Sequence, residues 1–246
     1  MRGYGLAALA MLLSAVAGPA FAQAVQGPDL SIEATNDYRE RGLSWSRGAP
    51  TLAVSGALPV TDGISLHAGA MGLRGSARAA GGDVGASLGA RYSGGEVVRL
   101  SGGVTVRLFP GRSALHYWEL DARADYDLGP ATVGAGISYA PSQDAIGGDN
   151  LYLDAGATIA MPGTPLAFVA GIGHSSGGTD DPARSARLRP EGSYADWRIG
   201  VDYRTGPYAI GLRYSDTSID ERRVPFGLSD RHAGSRLSAF LRWDIF

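Results

Sequence analysis

Cysteine and lysine are both absent from the 246-residue chain, in which every one of the 22 basic residues is arginine. The lack of cysteine excludes a disulfide framework, a thiolate metal site and a thiol nucleophile. A formal net charge of −2 provides no bulk attraction to nucleic acid, so we expect no nucleic-acid partner.

Long apolar runs are scarce as well, and the main one lies near the N-terminus. Arg2 precedes an apolar run from Leu6 to Ala17, and Ala20-Phe21-Ala22 follows it as a small-x-small cleavage signal. This order predicts a cleaved secretory signal peptide over residues 1–22 and a mature domain over residues 23–246. Helical membrane spans are excluded for the rest of the chain, which lacks the ~18 apolar residues they need. The exported protein is therefore expected to be soluble or a β-barrel.

The mature chain alternates apolar and polar residues with a period of two, which is the pattern of half-buried strands. The clearest run is residues 98–108, where valine and leucine alternate with polar residues and glycine. We count twelve such runs, at 29–39, 50–60, 63–73, 83–93, 96–108, 114–128, 131–140, 150–161, 165–174, 193–204, 207–216 and 235–246. Many have the ~9–11 residues with which a tilted strand crosses a bilayer.

The connections between the runs alternate between tight turns and longer polar loops, with 75–82 and 110–113 the two shortest loops. Short turns on one rim and longer loops on the other are typical of outer-membrane barrels. The predicted fold is therefore all-β, a transmembrane antiparallel up-and-down β-barrel of about twelve strands in the cell outer membrane. If both termini lie on the periplasmic side, every tight turn lies on that side as well.

The apolar parity of the runs contains no aspartate, glutamate or arginine, and its large aromatic residues lie near strand ends. A soluble β-sandwich also alternates, but aromatic girdles are expected where a barrel meets lipid headgroups. The predicted girdle is Tyr38, Trp118, Tyr139, Trp197, Tyr203, Tyr208, Tyr214 and Trp243. Phe246 ends the chain on the opposite parity to the apolar face of the last run.

The opposite parity is rich in charge and predicts the lining of a water-filled lumen, since isolated charges cannot be buried dry. The predicted pore-lining residues are Asp37, Arg39, Arg91, Arg99, Arg107, Glu119, Asp121, Arg123, Asp125, Asp154, Asp196, Arg198, Asp202, Arg213, Arg236 and Arg242. These charges form the wall of a pore, or they pair across strands and plug the barrel. Interleaved glycine and alanine favour a narrow pore.

His174 and Ser176 share the lipid-facing parity near the outer rim. Outer-membrane lipid hydrolases place a His-x-Ser pair there, because a base beside a hydroxyl is the minimum for acyl transfer. Gly177 follows where those enzymes carry asparagine, and no third orienting residue is evident. We therefore expect no enzyme, no catalytic residue, no metal site and no cofactor.

Three segments resemble the TorF family of predicted porins. The first is residues 36–46, Asn-Asp-Tyr-Arg-Glu-Arg-Gly-Leu-Ser-Trp-Ser, followed by Pro50; the others are residues 194–201 and 211–217. The chain departs from the family pattern at Glu40 and Trp45. The resemblance implies an outer-membrane barrel with passive uptake of small solutes and brings no catalytic residues.

The expected function is accordingly a porin-like channel for passive diffusion of small hydrophilic solutes. A structural or adhesive barrel with a plugged lumen is the first alternative, and an outer-leaflet lipid acyl hydrolase that uses His174 and Ser176 is the second. Expected partners are outer-membrane lipid, lipopolysaccharide, the barrel assembly machinery and small solutes. The solute and the ion preference stay open, because inward charges are nearly balanced between arginine and acid.

Overall fold

The computed structural model describes residues 28–220, 222 and 232–245. The predicted signal peptide and Phe246 lie outside these residues. Twelve antiparallel strands form a closed barrel in chain order, and the first strand pairs with the last. No helix within these residues is long and apolar enough to cross a membrane.

The strands alternate between inward and outward side chains throughout the barrel. Their bounds are β1 Asp29–Thr35, β2 Arg39–Glu40, β3 Leu43–Ser44, β4 Thr51–Thr61, β5 Ile64–Ser76, β6 Gly82–Gly94, β7 Val98–Leu108, β8 Tyr117–Leu128, β9 Ala131–Gln143, β10 Gly148–Ala160, β11 Leu166–Ser176, β12 Tyr194–Thr205, β13 Tyr208–Thr217 and β14 Arg236–Asp244. β2 and β3 form a separate two-stranded sheet, and the others form the barrel wall. One α-helix, Pro182–Ser185, and short 3-10 helices at Ala77–Ala79, Ser113–Leu115 and Asp144–Ile146 lie in the loops.

The sequence prediction of a twelve-stranded barrel is confirmed, and each predicted run overlaps one wall strand. Tight turns and the start of β1 lie on one rim, which we call the turn rim. Longer connections lie on the other, the loop rim. The two shortest predicted loops form compact 3-10 turns at the loop rim, at Ala77–Ala79 and Ser113–Leu115.

The outer face of the wall is a continuous apolar surface. Leu52, Ile172 and Ile199 are 60%, 64% and 59% exposed, as befits side chains with no protein neighbour to cover them. The predicted girdle aromatics of β8, β9 and β12–β14 are all exposed on this face. Tyr208 and Trp243, cross-strand partners at the turn rim, stack with ring centroids 6.3 Å apart.

Three strands end three or more residues from where the alternation predicts, and one of them, β9, continues beyond residue 140 to Gln143. β1 stops at Thr35 rather than at residue 39, because Asn36 turns away from the wall and bonds to Ala239 of β14 with both its backbone and its side chain. β5 continues beyond residue 73 to Ser76 and adds Arg74, an exposed charge, at the loop rim.

Candidate functional site

A hairpin from the first loop crosses the barrel interior near the loop rim. β2 and β3 pair through Arg39 with Ser44 and Glu40 with Leu43, and Arg41 and Gly42 form the turn between them. Both turn residues have positive φ, 52° and 73°, the signs that a type I′ hairpin turn requires. We call residues 37–46 the lumen hairpin. It coincides with the first segment that resembles the TorF family.

Asp37 anchors the base of the lumen hairpin. Its buried carboxylate accepts hydrogen bonds from the hydroxyls of Ser44 and Ser46, at 2.5 and 3.2 Å. Arg39 pairs with the same carboxylate at 3.3 Å, and Arg236 of β14 approaches it to 3.8 Å. Charge-assisted bonds of this kind are about twice as strong as neutral ones, so the hairpin is held firmly at its base.

The tip of the hairpin reaches the far side of the barrel. The Arg41 guanidinium pairs with Glu119 of β8 at 2.8 Å and lies over the Tyr152 ring of β10, 4.7 Å from its centroid. The Tyr194 hydroxyl of β12 donates to the Arg41 carbonyl at 2.9 Å. A Cβ at Gly42 would overlap Thr217, so glycine is needed there for space as well as for φ.

These contacts join the segments that carry the TorF resemblance. Tyr194 begins the second segment and Thr217 ends the third, and both contact the tip of the lumen hairpin. The motifs therefore describe one assembled feature, the hairpin and its docking site on the opposite wall.

A balanced cluster of charges surrounds the hairpin. Arg107 pairs with Glu40 at 3.1 Å and with Glu119 at 3.0 Å, so Glu119 bridges Arg41 and Arg107. With Asp37 and Arg39, the cluster contains three arginines and three acids, whose side chains are at most 18% exposed. The pairing satisfies each buried charge, as burial requires.

Two groups of the hairpin, Arg41 and Tyr38, have raised pKa values. Burial alone would lower the pKa of Arg41, but the Glu119 carboxylate more than offsets this, so the pKa lies above its ordinary value and the guanidinium stays charged. Burial raises the pKa of Tyr38 well above the ordinary value, and Glu40 adds to the effect, so the phenol is neutral.

Below the hairpin, ion pairs on the wall span an intervening strand. Arg91 of β6 and Asp121 of β8 meet at 2.8 Å across Gly103 of β7, which lies in register between them. Arg123 and Asp154 meet at 2.7 Å, and Gly136 lies between them in the same way. Each glycine leaves a gap through which long side chains lie along the wall.

The exposure of the lumen charges varies around the barrel. Side chains of the Arg107–Glu119 pair at the hairpin are 6% and 5% exposed, and those of the Arg99–Asp127 pair, toward the turn rim, are 25% and 28% exposed. The Arg213–Asp202 pair, also on the turn-rim side, is only 14% and 1% exposed, so the interior is more accessible to solvent along β7 and β8 than along β12 and β13.

Loops pack over the loop rim through two buried apolar clusters. One contains Trp45 of the hairpin with Leu73, Phe109, Tyr117, Ile146 and Leu188, and the other contains Leu43 with Tyr194 and Ile219. Trp45 and Leu43 lie two residues apart and contribute one side chain to each cluster, so the hairpin is packed into both. Both clusters are at most 7% exposed.

Arg187 links four loops within this packing. Its guanidinium donates to the carbonyls of Arg78 at 2.6 Å, Leu115 at 3.2 Å and Ala145, and lies over the Phe109 ring. Burial lowers the pKa of Arg187, although an arginine so far above neutrality remains charged. Backbone carbonyls therefore solvate this cation at the mouth of the barrel.

The structure distributes the residues predicted to line a pore between wall and hairpin. Asp37 and Arg39 lie on the lumen hairpin, so their assignment to the first wall strand is corrected; Thr35 donates to the Asp37 carbonyl where the chain leaves the wall. The other predicted lining residues lie on wall strands. Tyr38 is not a girdle residue, because it packs against the interior apolar cluster of Trp45.

Alternation alone missed several residues of the site, notably Glu40, Arg41, Tyr152 and Tyr194. The available signal was Arg41-Gly42 between short alternating segments, which is compatible with a tight hairpin. The direction in which a loop folds is set by its distant partners, which local alternation does not encode.

His174 and Ser176 lie on the same face of β11, and His174 is exposed on the outer surface. The cross-strand neighbours of His174 are Leu153 and Ala195, neither of which can orient an imidazole. The arrangement lacks the third group of a hydrolytic triad at these positions.

Solved barrels share this architecture. The NanC porin matches with a TM-score of 0.59 at 11% identity, covering 87% of this chain and 97% of that one. The KdgM porin matches with a TM-score of 0.56 at 7% identity, covering 88% and 99%. An outer membrane channel from Pseudomonas putida F1 matches with a TM-score of 0.50 at 14% identity, covering 93% and 98%.

The fold is therefore that of a porin-like β-barrel. The chain belongs to the Gcw_chp family, described as bacterial protein of unknown function, whose model matches residues 23–233. No curated protein sequence matches the chain significantly.

Proposed function

We propose that this protein is an outer-membrane channel for passive diffusion of small hydrophilic solutes, as the TorF resemblance implies. The observation that carries the proposal is the charged lumen wall, which is partly exposed to solvent at the Arg99–Asp127 pair and is crossed by the lumen hairpin near the loop rim. A hairpin held across a barrel by ion pairs restricts the cross-section and so sets an upper size for solutes.

The outer surface supports a location in the membrane. Its apolar side chains form a band around a closed wall, and aromatic residues lie toward both rims, as lipid contact demands. Closure also leaves no unpaired strand edge in the hydrocarbon. Both described ends of the barrel lie at the turn rim, which we assign to the periplasm.

The charge balance at the hairpin favours weak ion selectivity. Three arginines and three acids pair there, and the more exposed Arg236 also approaches Asp37, so the net charge is at most one unit and the field on a passing ion is weak. Small neutral or zwitterionic solutes fit such a constriction best, because they need no counter-charge.

A plugged structural barrel is the second candidate, and the buried clusters at the loop rim favour it. In that case the barrel would act through its loops and conduct little. A lipid hydrolase has no comparable support, since His174 lacks an orienting acid among its cross-strand neighbours.

Single-channel recording separates the two candidates. The mature protein is purified from outer membranes, its fold is verified by faster migration unheated than boiled, and it is placed in a planar bilayer. We expect discrete conductance steps, together with swelling of proteoliposomes in small sugars and amino acids but not in oligosaccharides. A folded barrel that neither conducts nor causes swelling would refute the channel and support the plugged barrel.

A further inference from the structure

The wall has a notch at the loop rim where β1 is short. β1 ends at Thr35, which pairs with Phe240, whereas β14 begins four residues beyond that pair, at Arg236. Asn36 closes the end of the notch by accepting from the Ala239 amide at 3.0 Å and donating its own amide to the Ala239 carbonyl at 3.2 Å. The outer face is consequently stepped at this seam.

A groove of about 530 Å³ follows the notch on β14, β1 and β4. Ala34 forms its floor, and its cross-strand neighbours Leu241 and Leu52 rise on either side, 49% and 60% exposed. Ala239, also small and exposed, continues the floor toward the loop rim. Leucine side chains thus flank a row of alanines, and the result is an apolar surface of the kind that an alkyl chain contacts.

Arg74 lies at the loop-rim end of the same groove. It occupies a bulge of β5, with positive φ at both Arg74 and Gly75, and its Nε donates to the Pro50 carbonyl at 2.8 Å. The side chain is exposed, and no carboxylate among the described residues pairs with it. A bulge re-aims a side chain, and here it places a cation above an apolar groove.

We propose that this groove binds a phosphorylated glycolipid of the outer leaflet, with an acyl chain on Ala34 and Ala239 and a phosphate on Arg74. Guanidinium and phosphate are complementary in charge and in the geometry of their hydrogen bonds. Lipopolysaccharide is the lipid of this chemistry at the loop rim, an assignment that rests on the proposed membrane location. The site differs from the lumen and does not require conduction.

Binding of bis-phosphorylated lipid A is measured by native mass spectrometry on the purified full barrel, with dephosphorylated lipid A and phosphatidylglycerol as the other probes. We expect Arg74→Gln to weaken binding of lipid A about tenfold, the effect of losing one charge-assisted bond, and to leave dephosphorylated lipid A unaffected. We expect Ala34→Leu, which fills the groove, to weaken binding of both forms.

Two matched variants control for general lipid contact. Arg184→Gln removes an exposed loop arginine, and Ala135→Leu enlarges an outward alanine whose cross-strand neighbours are Ala124 and Ala155. Both should bind lipid A like wild type. Wild-type affinity in folded Arg74→Gln and Ala34→Leu, equal weakening by the controls, or equal affinity for phosphatidylglycerol would each overturn the site. A barrel that binds lipid A but does not conduct would refute only the proposed channel.

Discussion

At the scale of single residues, glycines of the wall strands allow ion pairs to form across an intervening strand. Gly103 and Gly136 lie between the members of two ion pairs, so that arginine and aspartate meet across a strand that neither belongs to. Long guanidinium side chains then lie along the wall. The glycine content of the chain, 37 residues, thus has a specific use in this barrel beyond its turns.

Gly103→Ala tests this use of glycine. A Cβ there would lie 2.5 Å from the Ala90 carbonyl oxygen and 3.2 Å from the Arg91 Cα, so backbone must shift. We expect a loss of about 1–3 kcal/mol in the free energy of unfolding, the usual cost of overpacking. The measurement is denaturant unfolding in lipid vesicles.

Gly102→Ala is the control on the same strand. Its Cβ would meet only the Asp121 carbonyl oxygen, at 3.4 Å, so the change should be neutral or slightly stabilising. Equal effects of the two substitutions would contradict a role for Gly103 in spacing the ion pair.

Arg41→Ala tests the charge at the tip of the lumen hairpin. Its loss leaves Glu119 with only Arg107 and gives the cluster a net negative charge. One uncompensated charge acts on a monovalent ion 4 Å away in water with about 1 kcal/mol, or about fivefold in relative permeability. We expect higher conductance and a shift toward cations, measured as the reversal potential in a salt gradient.

Arg47→Ala matches this change outside the cluster. Arg47 is exposed in the same loop and also has positive φ, 60°, so the backbone consequence of an alanine is the same. Its conductance and reversal potential should equal those of wild type; a shift as large as that of Arg41→Ala would assign the effect to loop strain.

At the scale of elements, alternation predicts the wall but not the hairpin. Residues 29–39 alternate except at Asn36, a polar residue on the apolar parity, and only Asp29–Thr35 joins the barrel. A hairpin inside the lumen alternates in the same way as a wall strand, with Leu43 and Trp45 in apolar clusters and Ser44 and Ser46 on Asp37. What separates the two is contact with Glu119, Tyr152 and Tyr194, which are more than 70 residues away.

Arg187→Ala tests the packing of the loops over the mouth. Removing the guanidinium leaves the carbonyls of Arg78, Leu115 and Ala145 without their shared donor. We expect these loops to loosen, with about 1–3 kcal/mol less stability, higher conductance and faster proteolysis at the loop rim. Limited proteolysis of proteoliposomes and single-channel recording measure the effect.

Arg184→Ala removes an exposed arginine from the neighbouring helix, which pairs loosely with Asp181 at 3.5 Å and makes one contact with another loop, to the Asp144 carbonyl at 2.9 Å. Because it removes one such contact where Arg187→Ala removes three, its effect should be much smaller in both assays. An Arg187→Ala barrel with unchanged conductance and proteolysis would show that the apolar clusters alone hold the loops.

At the scale of the whole molecule, the outer face of the wall is apolar and the inner face is charged. Outward residues are apolar through the middle of every wall strand, and inward residues carry paired charges. The alternation therefore determines which side chains of a strand face outward and which face inward. The number of strands and the direction of their side chains can therefore be predicted from the sequence, whereas the hairpin inside the lumen cannot.

Ile199→Arg tests the location of the wall in lipid. Ile199 lies midway along β12 and is 59% exposed, so arginine there would meet the hydrocarbon centre at a cost of about 2–4 kcal/mol. Leu237, 60% exposed near the loop rim, should tolerate arginine at about 0–1 kcal/mol. Unfolding in lipid vesicles gives both values, and equal costs would argue against a membrane around this wall.

The lumen hairpin also determines the order in which the protein can be assembled. Arg39 donates to the Gly234 carbonyl at 2.8 Å, 195 residues further along the chain, and the same end of the chain supplies the partner of β1. Contacts of such separation form late, because the intervening chain must first be brought together. A half-built barrel therefore has a seam open to lipid and an unobstructed interior, and its constriction is completed in the same final step that joins the first strand to the last.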